Sequence, residues 1–250
     1  MPVSDSSHSP KPKAVISWSG GKDSLLCLHK ALSEQRYEIA WLLTTVSGAT
    51  GRVATHEVRA ELIERQAERL GIPLVKMVMS DEPQSGDYER NLLGNLDRLK
   101  AQGLEVCIFG DLFLADIRVY REKLLEGSGL RPVFPLWDLP TDQLARQSIE
   151  LGFKARLVCV NEQYLDRKFA GRQFDTRLLA DLPENVDPCG ENGEFHSFVW
   201  DGPLFSAPIE IRTGAVEHRV RAHPGLAETS GYWLCDLEPL GEAVPVRSAS

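Results

Sequence analysis

Strand-like and helix-like segments alternate along the first half of the 250-residue chain. The apolar segments AVISW, EIAWLLTTV, PLVKMVM and EVCIFG each precede a segment with apolar residues at helical spacing. The second apolar segment is too continuous for a sheet with one solvated face, which indicates a central parallel strand. We expect helices at about 22–36, 55–70, 88–101 and 115–126. This alternation predicts an α/β fold with an open parallel sheet.

The first two predicted helices have recognisable inner faces and ends. In the first helix, Leu25, Leu28 and Leu32 share one face at helical spacing. In the second, Thr55 is expected to cap the start and Gly71 to end the helix. Its inward residues are expected to be Val58, Leu62, Ile63 and Ala67.

The character of the sequence changes after residue 129. The stretch LRPVFPLWDLPTDQLARQSIELGFKARLVCV predicts a short strand, a proline-bounded turn, a helix and a further strand. The later segments IEIR and GYWLCDLEPLG predict two or three additional strands. We therefore divide the chain into a disordered tail at 1–12, a first domain at 13–129, a second, smaller α/β domain at 130–238 and a C-terminal tail at 239–250.

Composition argues against several classes of protein. Lysine and arginine total 28 and aspartate and glutamate total 36, so the net charge is −8. This balance gives no general attraction to nucleic acid or to an anionic lipid surface. No segment has the form of a signal peptide or approaches the roughly 18 apolar residues of a membrane span, which predicts a cytoplasmic protein without membrane contact. The five cysteines are widely spaced and form no CxxC pair, as expected for reduced thiols.

A glycine pair follows the first predicted strand in SGGKDS, residues 19–24. Glycines between a strand and a helix let the backbone approach a ligand, and the unpaired N–H groups of the helix start attract an anion, with phosphate the expected ligand. The segment is neither a Walker A loop nor GxGxxG. The alternative is a strand-to-helix turn in which a serine caps the helix.

Polar residues also follow two other predicted strands. Ligands of open α/β sheets bind beyond the carboxyl ends of the strands. Gly110 and Asp111 directly follow EVCIFG, and Arg118 and Arg121 lie in the next helix. A carboxylate there can reach a metal ion or a phosphate; the alternative is a helix start with solvated charges. His56, after the second strand, either faces a ligand or is a solvated or capping residue.

The segment CGENGEFH, residues 189–196, concentrates chemically active side chains. Its small residues allow a tight turn in which Glu191 and Glu194 could orient a nucleophile while His196 relays a proton. We interpret it as a substrate loop that leads into a strand. The alternatives are a zinc site made by Cys189, Glu191, Glu194 and His196, and a glycine-rich hairpin without a chemical role.

Several motifs together resemble one known family. SGGKDS, QAERLGIPL, FAGRQFD and CGENGEFHSFV occur in the order found in the diphthine–ammonia ligase family of PP-loop ATP pyrophosphatases. The resemblance covers residues 13 to about 210 and is closest to uncharacterised prokaryotic members. It implies the Rossmann-like adenine-nucleotide alpha-hydrolase fold, with ATP and Mg²⁺ as cofactors. Members adenylate the carboxylate of diphthine, a modified histidine of elongation factor 2, and amidate it with ammonia, which releases AMP and pyrophosphate.

The resemblance also implies roles for individual residues. ATP-binding residues would be Ser17, Trp18, Ser19, Gly20, Gly21, Lys22, Asp23, Ser24, Thr44, Thr45, Val46, Gly110 and Asp111. Catalytic residues would be Lys22, Asp23, Asp111, Glu194 and His196, with Mg²⁺ held by Asp23 and Asp111. Substrate-binding residues would be His56, Arg118, Cys189, Gly190, Glu191, Asn192 and Glu194.

The predicted function is therefore an ATP-dependent, AMP-forming ligase that joins ammonia to a carboxylic acid. The acid is a small molecule or a modified protein side chain, and a homodimer is among the partners considered. One alternative is a tRNA-modifying PP-loop enzyme, although the chain lacks paired cysteines and basic additions for RNA. The other is a protein that binds or hydrolyses ATP and acts on an unknown substrate.

Overall fold

The computed structural model describes residues 10–80, 84–222 and 229–241. The first sheet contains five strands, which are β1 (Lys13–Ser17), β2 (Glu38–Ser47), β3 (Leu74–Met79), β4 (Leu104–Ile108) and β5 (Arg131–Val133). Every pairing is parallel, and the spatial order is β3-β2-β1-β4-β5. The connecting helices are α1 (Lys22–Glu34), α2 (Ala60–Leu70), α3 (Asp87–Lys100) and α4 (Ala115–Leu125). The predicted open parallel α/β sheet is confirmed.

Burial follows the predicted pattern, with one exception in α1. β2 lies inside the sheet, and three consecutive residues in its middle, Trp41, Leu42 and Leu43, are buried. Leu25 and Leu28 are also fully buried, but Leu32 is 40% exposed. The expectation that Leu32 belongs to the inner face is wrong. It lies in the last turn of α1, which ends at a left-handed residue three positions later.

The start of α2 differs from the prediction, because the helix begins at Ala60 and not at Thr55. Thr55 and Glu57 have φ angles of 63° and 58°, which no right-handed helix contains. The segment before α2 instead folds back on β2, and Val53 N donates to Val58 O at 2.8 Å. The predicted end at Gly71 is confirmed, and so is the inward face formed by Val58, Leu62, Ile63 and Ala67.

A second, smaller sheet follows. Its strands are β6 (Lys154–Asn161), β7 (Phe195–Asp201), β8 (Ile211–Ala222) and β9 (Thr229–Pro239), and its helices are α5 (Thr141–Glu150) and α6 (Thr176–Asp181). The order is β7-β6-β9-β8, and every pairing is antiparallel. The predicted smaller α/β unit is confirmed, with its sheet now identified as antiparallel.

The predicted domain limits need one adjustment. β5, which we assigned to the second domain, pairs in parallel with β4 and is the last strand of the first sheet. A division after residue 129 therefore separates a strand from its own sheet, because three residues carry too little pattern to show where they pair. The proposed tails at 1–12 and 239–250 extend beyond the described residues at 1–9 and 242–250. Within the described ranges, no helix combines the length and apolarity needed to cross a bilayer.

Gln66 of α2 ties the glycine loop to the second sheet. Its side chain is fully buried, and Nε2 donates to Gly20 O at 2.9 Å and to Val199 O at 2.7 Å. Its Oε1 accepts from Trp18 Nε1 at 2.8 Å. Val199 N also donates to Gly20 O at 3.0 Å, so β7 continues the contacts of the loop. The two sheets are therefore joined directly behind the loop.

Gly20 is required in this arrangement, which leads to a first prediction. Its φ is +80°, and a Cβ built there would clash with Ile63 Cδ1 and lie 2.7 Å from Gln66 Oε1. Gly20→Ala should lower the free energy of unfolding by about 3 kcal/mol or more, since strain and overpacking add. Gly71→Ala is the matched control: its φ is +69° but no atom lies within 4 Å, so we expect a loss of only about 1–2 kcal/mol. Urea denaturation measures both; equal losses would contradict the packing argument.

Candidate active site

A cavity of about 1080 Å³ opens at the carboxyl ends of β1, β2 and β4. The segment that leads into β7 forms the opposite wall, so both sheets contribute to it. Typical small-ligand cavities measure roughly 300–1,000 Å³, so this one has room for two reactants. The predicted site residues that line it are Ser17, Trp18, Ser19, Lys22, Asp23, Ser24, Thr45, His56, Gly110, Asp111, Cys189, Gly190, Glu191 and His196.

The glycine loop is shaped by its own serines. Gly21 N donates to Ser19 Oγ at 3.3 Å, and Ser24 Oγ donates to Gly21 O at 2.8 Å. The cap position of α1 is Gly21, which has no side chain to accept from the first turn. The alternative of a serine that caps the helix is therefore not what the structure contains. The loop has the form of an anion site at a helix N-terminus.

Lys22 lines the cavity with only 2% of its surface exposed. Its Nζ donates to Asp23 Oδ2 at 2.9 Å and to the backbone oxygen of Cys189. It also lies 5.3 Å and 5.2 Å from the ring centroids of Phe174 and Phe195. Burial is the largest single influence and opposes the charged form, but the Asp23 carboxylate together with Cys189 and Asp187 outweighs it and raises the pKa of Lys22. The ammonium is therefore retained as a fixed positive charge beside the loop.

Asp23 has one carboxylate oxygen engaged and one available. Oδ2 accepts from Lys22, whereas Oδ1 is buried and has no hydrogen-bond partner among the described residues. A buried carboxylate oxygen without a partner is costly unless a ligand or cation completes it. This oxygen is the feature of the site that best fits a bound cation.

At the end of β4, Asp111 forms a bidentate ion pair with Arg121. The Arg121 Nε atom lies 2.7 Å from Oδ2, and Nη2 lies 3.2 Å from Oδ1. The guanidinium stacks 4.6 Å from the ring centroid of Phe109. Arg121 lines the cavity, and Arg118 does not. Arg118 instead stacks on Phe134 and Trp137, at 5.0 Å and 4.7 Å from their ring centroids, so the substrate contact predicted for it is not supported.

Glu191 is the titratable carboxylate that the second unit presents to the cavity. Its Oε1 accepts from Leu112 N at 2.8 Å, which ties the segment before β7 to the end of β4. Its backbone N donates to Asp187 Oδ2 at 2.9 Å. Burial raises the pKa of Glu191 to about 7, and the nearby Asp23 and Asp111 carboxylates add to the shift. A carboxyl group with this pKa can both accept and donate a proton near neutrality.

Glu194 and Asn192 are placed differently from the prediction. Neither lines the cavity, and the Glu194 side chain is 1% exposed. Glu194 Oε1 accepts from Asp187 N at 2.9 Å and from Asn192 Nδ2 at 3.1 Å. These contacts close the turn on itself, because the small residues around it bring the two ends together. In this arrangement Glu194 supports the loop, and Glu191 faces the cavity.

Other predicted residues are only partly brought to the site. Thr45 lines the cavity and Thr44 does not, as expected from the alternation of side chains along a strand. The backbone oxygen of Thr45 accepts from Ala54 N at 3.1 Å, and Val46 pairs with Val53. These backbone contacts within the protein weaken the prediction that residues 44–46 contact a base. The segment that contains Val53 and Ala54 and covers the end of β2 was not predicted from the sequence.

Cys189 contributes its backbone and not its sulfur. Its Sγ donates to Thr141 O at 3.3 Å, and burial raises the pKa of the thiol. A thiol held in this form is a poor nucleophile. Among the described residues, no three histidine, cysteine, aspartate or glutamate side chains converge as a metal-binding group. The zinc alternative for residues 189–196 therefore has no support from the structure.

Sequence reasoning missed several lining or supporting residues, which are Gln66, Tyr88, Glu89 and Ser197. Ser197 Oγ accepts from Lys22 N at 3.2 Å, and Tyr88 and Glu89 line the cavity from α3. Gln66 left a readable signal, because a glutamine beside Ile63 and Ala67 on the inner face of a helix requires a buried polar partner. The others left none.

A five-stranded parallel sheet with a glycine loop after β1 and a cavity at its strand ends places the chain among the Rossmann-like α/β proteins. Residues 12–132 match the family model of the diphthamide synthase N-terminal domain, and residues 140–231 match that of the C-terminal domain. The chain belongs to the diphthamide synthase family.

Curated relatives agree with this assignment. The chain is 26% identical to the human diphthine–ammonia ligase over 221 residues, which is 79% of this chain and 82% of the human protein. It is 25% identical to the rat diphthine–ammonia ligase over 233 residues, 84% of this chain and 86% of the rat protein. The diphthine–ammonia ligase of Schizosaccharomyces pombe is 27% identical over 221 residues, which are 80% of this chain and 36% of the yeast protein.

The raised pKa of Glu191 predicts a pH dependence of stability. Because its folded-state pKa is about 7 and its ordinary value is 4.5, the folded protein binds this proton more tightly than the unfolded chain. Its contribution to stability is therefore fully present below pH 4.5 and is lost as the pH rises to 7, by a total on the order of 3 kcal/mol.

Glu191→Gln keeps the acceptor for Leu112 N and removes the charge, so the variant should unfold at higher urea concentration than the wild type at pH 8. The difference should shrink toward pH 5. Glu105→Gln, at an exposed position of β4, is the control and should stay within about 0.5 kcal/mol at both pH values. A Glu191→Gln difference that does not change with pH would show that Glu191 has no raised pKa.

Proposed function

We propose that this protein is an ATP-dependent ligase that activates a carboxylic acid as its adenylate and joins it to ammonia, with release of AMP and pyrophosphate. The family assignment and the relatives named diphthine–ammonia ligase support a ligase. The observation that carries the proposal is the pairing of an anion-binding loop, residues 19–24, with a carboxyl group of raised pKa, Glu191, across one cavity.

Activation is needed because a free carboxylate is a poor electrophile with no good leaving group. Transfer of AMP to the carboxylate oxygen breaks the bond between the α- and β-phosphates and supplies a group that ammonia can displace. The chemistry requires charge stabilisation on the departing pyrophosphate and no covalent enzyme intermediate. The buried thiol of Cys189 agrees with that requirement.

The glycine loop is suited to hold the β- and γ-phosphates. The loop lies at the N-terminus of α1, where the Gly21 cap supplies no side-chain acceptor, and Lys22 adds a fixed positive charge. A preorganised donor of this kind is worth roughly 3–4 kcal/mol in the transition state. Ser19 and Ser24, whose hydroxyls lie 3.4 Å apart, complete the cradle.

A divalent cation fits beside this loop. The buried Asp23 Oδ1 without a partner is an oxygen ligand of the type that Mg²⁺ prefers. Asp111 is a second oxygen donor, although both of its oxygens contact Arg121 in this structure. Mg²⁺ bound by these two residues would neutralise phosphate charge. Glu191, Asp23 and Asp111 also interact electrostatically, which places the three carboxylates in one region.

Glu191 is the residue that we assign to the ammonia step. The attacking nitrogen carries one proton too many once it has bonded to the acyl carbon, and a base must take it. Glu191 is fixed at the end of β4 by Leu112 N and has a pKa near 7. It replaces Glu194 in this role, because Glu194 does not reach the cavity.

The relatives' name indicates diphthine as the first acceptor to test, with other carboxylic acids second.

Five buried cysteines without disulfides agree with the cytoplasmic location that we propose. The homodimer stays a prediction, and the chemistry proposed above does not require it, because a single chain contains every group assigned.

The function is tested by identifying the nucleotide products. The protein is incubated with ATP, Mg²⁺, ammonium and elongation factor 2 that carries diphthine. The phosphate-containing products are then distinguished and quantified by ³¹P NMR. We expect AMP and pyrophosphate in a one-to-one ratio with amide formed. A screen of small carboxylic acids under the same conditions covers other acceptors. ADP and orthophosphate as the main products would refute the proposal.

Two conservative variants should separate nucleotide binding from amide formation. Asp23→Asn keeps an acceptor for Lys22 but removes a charged cation ligand, so Mg²⁺-dependent ATP affinity should fall at least tenfold. Glu191→Gln should retain ATP affinity and lose amide formation by roughly 10²–10⁴-fold. Calorimetry and product assays measure the two effects, with Glu105→Gln as control. If Glu191→Gln kept full amide formation, another residue would be the base.

A further inference from the structure

His56 and His196 form a stacked pair on the cavity wall. Their ring centroids are 4.4 Å apart, with an interplanar angle of 31°. His56 belongs to the segment between β2 and α2, and His196 belongs to β7, so the pair also joins the two sheets. The sequence predicts a proton relay at His196, whereas the amide-forming steps proposed above assign that proton to Glu191 and do not use the pair. Two titratable rings this close interact strongly and titrate as a unit.

The hydrogen bonds of His56 indicate where its lone pair points. Thr55 Oγ1 donates to Ala54 O at 2.6 Å, which leaves that oxygen as the acceptor for His56 Nδ1 at 3.2 Å. The neutral ring therefore carries its proton on Nδ1 and has its lone pair on Nε2. A Cβ added to Gly21 would lie 3.1 Å from His56 Nε2. The basic nitrogen consequently faces the glycine loop at the start of α1.

The surroundings hold the His56 ring neutral in the free protein. Burial lowers the pKa of His56 well below its usual value, and His196 on β7 and Lys22 on α1 lower it further. The neighbouring carboxylates have their own cations, since Asp23 pairs with Lys22 and Glu57 lies 3.7 Å from Arg219. A polyphosphate on the loop would add several negative charges beside Nε2. Negative charge within about 4–6 Å favours the protonated imidazole.

We propose that the His56–His196 pair takes up one proton when a nucleoside triphosphate occupies the glycine loop, so that nucleotide binding and protonation of the site are coupled. This inference rests on the proposed ATP site. The proton comes from solvent, converts one neutral imidazole into an imidazolium that donates to a phosphate oxygen, and returns to solvent when pyrophosphate leaves. The second ring stays neutral, because two positive charges at 4.4 Å would repel each other.

The coupling fixes the direction of a pH effect. Because the nucleotide complex binds the extra proton more tightly than the free protein, affinity rises as the pH falls between the two titration points. The limit for one proton is a tenfold increase in affinity per pH unit. His56→Gln removes the ring that faces the loop and should flatten this dependence.

Calorimetry with Mg²⁺ and α,β-methylene-ATP, which cannot be cleaved between those phosphates, provides the test. Titrations at pH 7 in PIPES and in ACES, which differ in ionisation enthalpy, give the number of protons taken up on binding. The wild type should take up about 0.5–1 proton more than His56→Gln, and protonation of the analogue itself cancels in this comparison. His218→Gln is the matched control, because His218 pairs with Glu162 outside the cavity, and it should behave as the wild type.

The outcomes separate this inference from the proposed function. Absence of binding overturns both, whereas binding with equal proton uptake in the wild type and His56→Gln overturns only the histidine coupling. NMR of the ¹⁵N-labelled histidine rings tests the wild type directly, in case His56→Gln folds poorly. Addition of the analogue should move one Nε2 resonance of the pair to the position of a protonated nitrogen. Unchanged resonances in a complex with bound analogue would contradict the proposal.

Discussion

The buried ammonium of Lys22 is the contact on which the shape of the cavity depends. An unpaired ammonium in a protein interior costs several kcal/mol, so its partners must stay in place. One partner, the Asp23 carboxylate, lies in the glycine loop, and the other, the Cys189 backbone oxygen, lies in the segment before β7. Lys22 therefore holds the strand-end loop of the first sheet against the second unit. In the proposed function the same charge would bind a polyphosphate, which gives a reason for a costly group at this point.

This contact determines which carboxylate of residues 189–196 faces the cavity. With the segment held by Lys22, Glu191 reaches Leu112 N at the end of β4 and enters a region that already contains Asp23 and Asp111. Crowding of carboxylates in a buried place is unfavourable for the fold, but it produces a proton acceptor that works near neutral pH. In the proposed function, the nucleotide would be activated on one wall and the nucleophile deprotonated on the other. Both walls are supplied by a single chain.

The parts of the fold that repeat a pattern over many residues could be predicted from the sequence, and the parts that depend on one contact could not. The four strands and helices of the first unit followed from hydrophobic periodicity, and the site at their carboxyl ends followed from topology. β5 is too short to carry a pattern, and the positive φ of Thr55 moved the start of α2. The choice between Glu191 and Glu194, three positions apart, depends on the contact of Glu191 with Leu112, which is 79 positions away along the chain and which no local signal encodes.

The central claim is that the acceptor carboxylate attacks the α-phosphate of ATP, and the fate of its oxygen tests this most directly. Diphthine on elongation factor 2 is prepared with ¹⁸O in its carboxylate, and the reaction is run with ATP, Mg²⁺ and ammonium in ordinary water. Adenylation followed by attack of ammonia predicts AMP that carries one ¹⁸O atom, detected by mass spectrometry, in equal amount to the amide. AMP that contains only ¹⁶O would show that water and not the carboxylate attacks ATP, and would contradict the account.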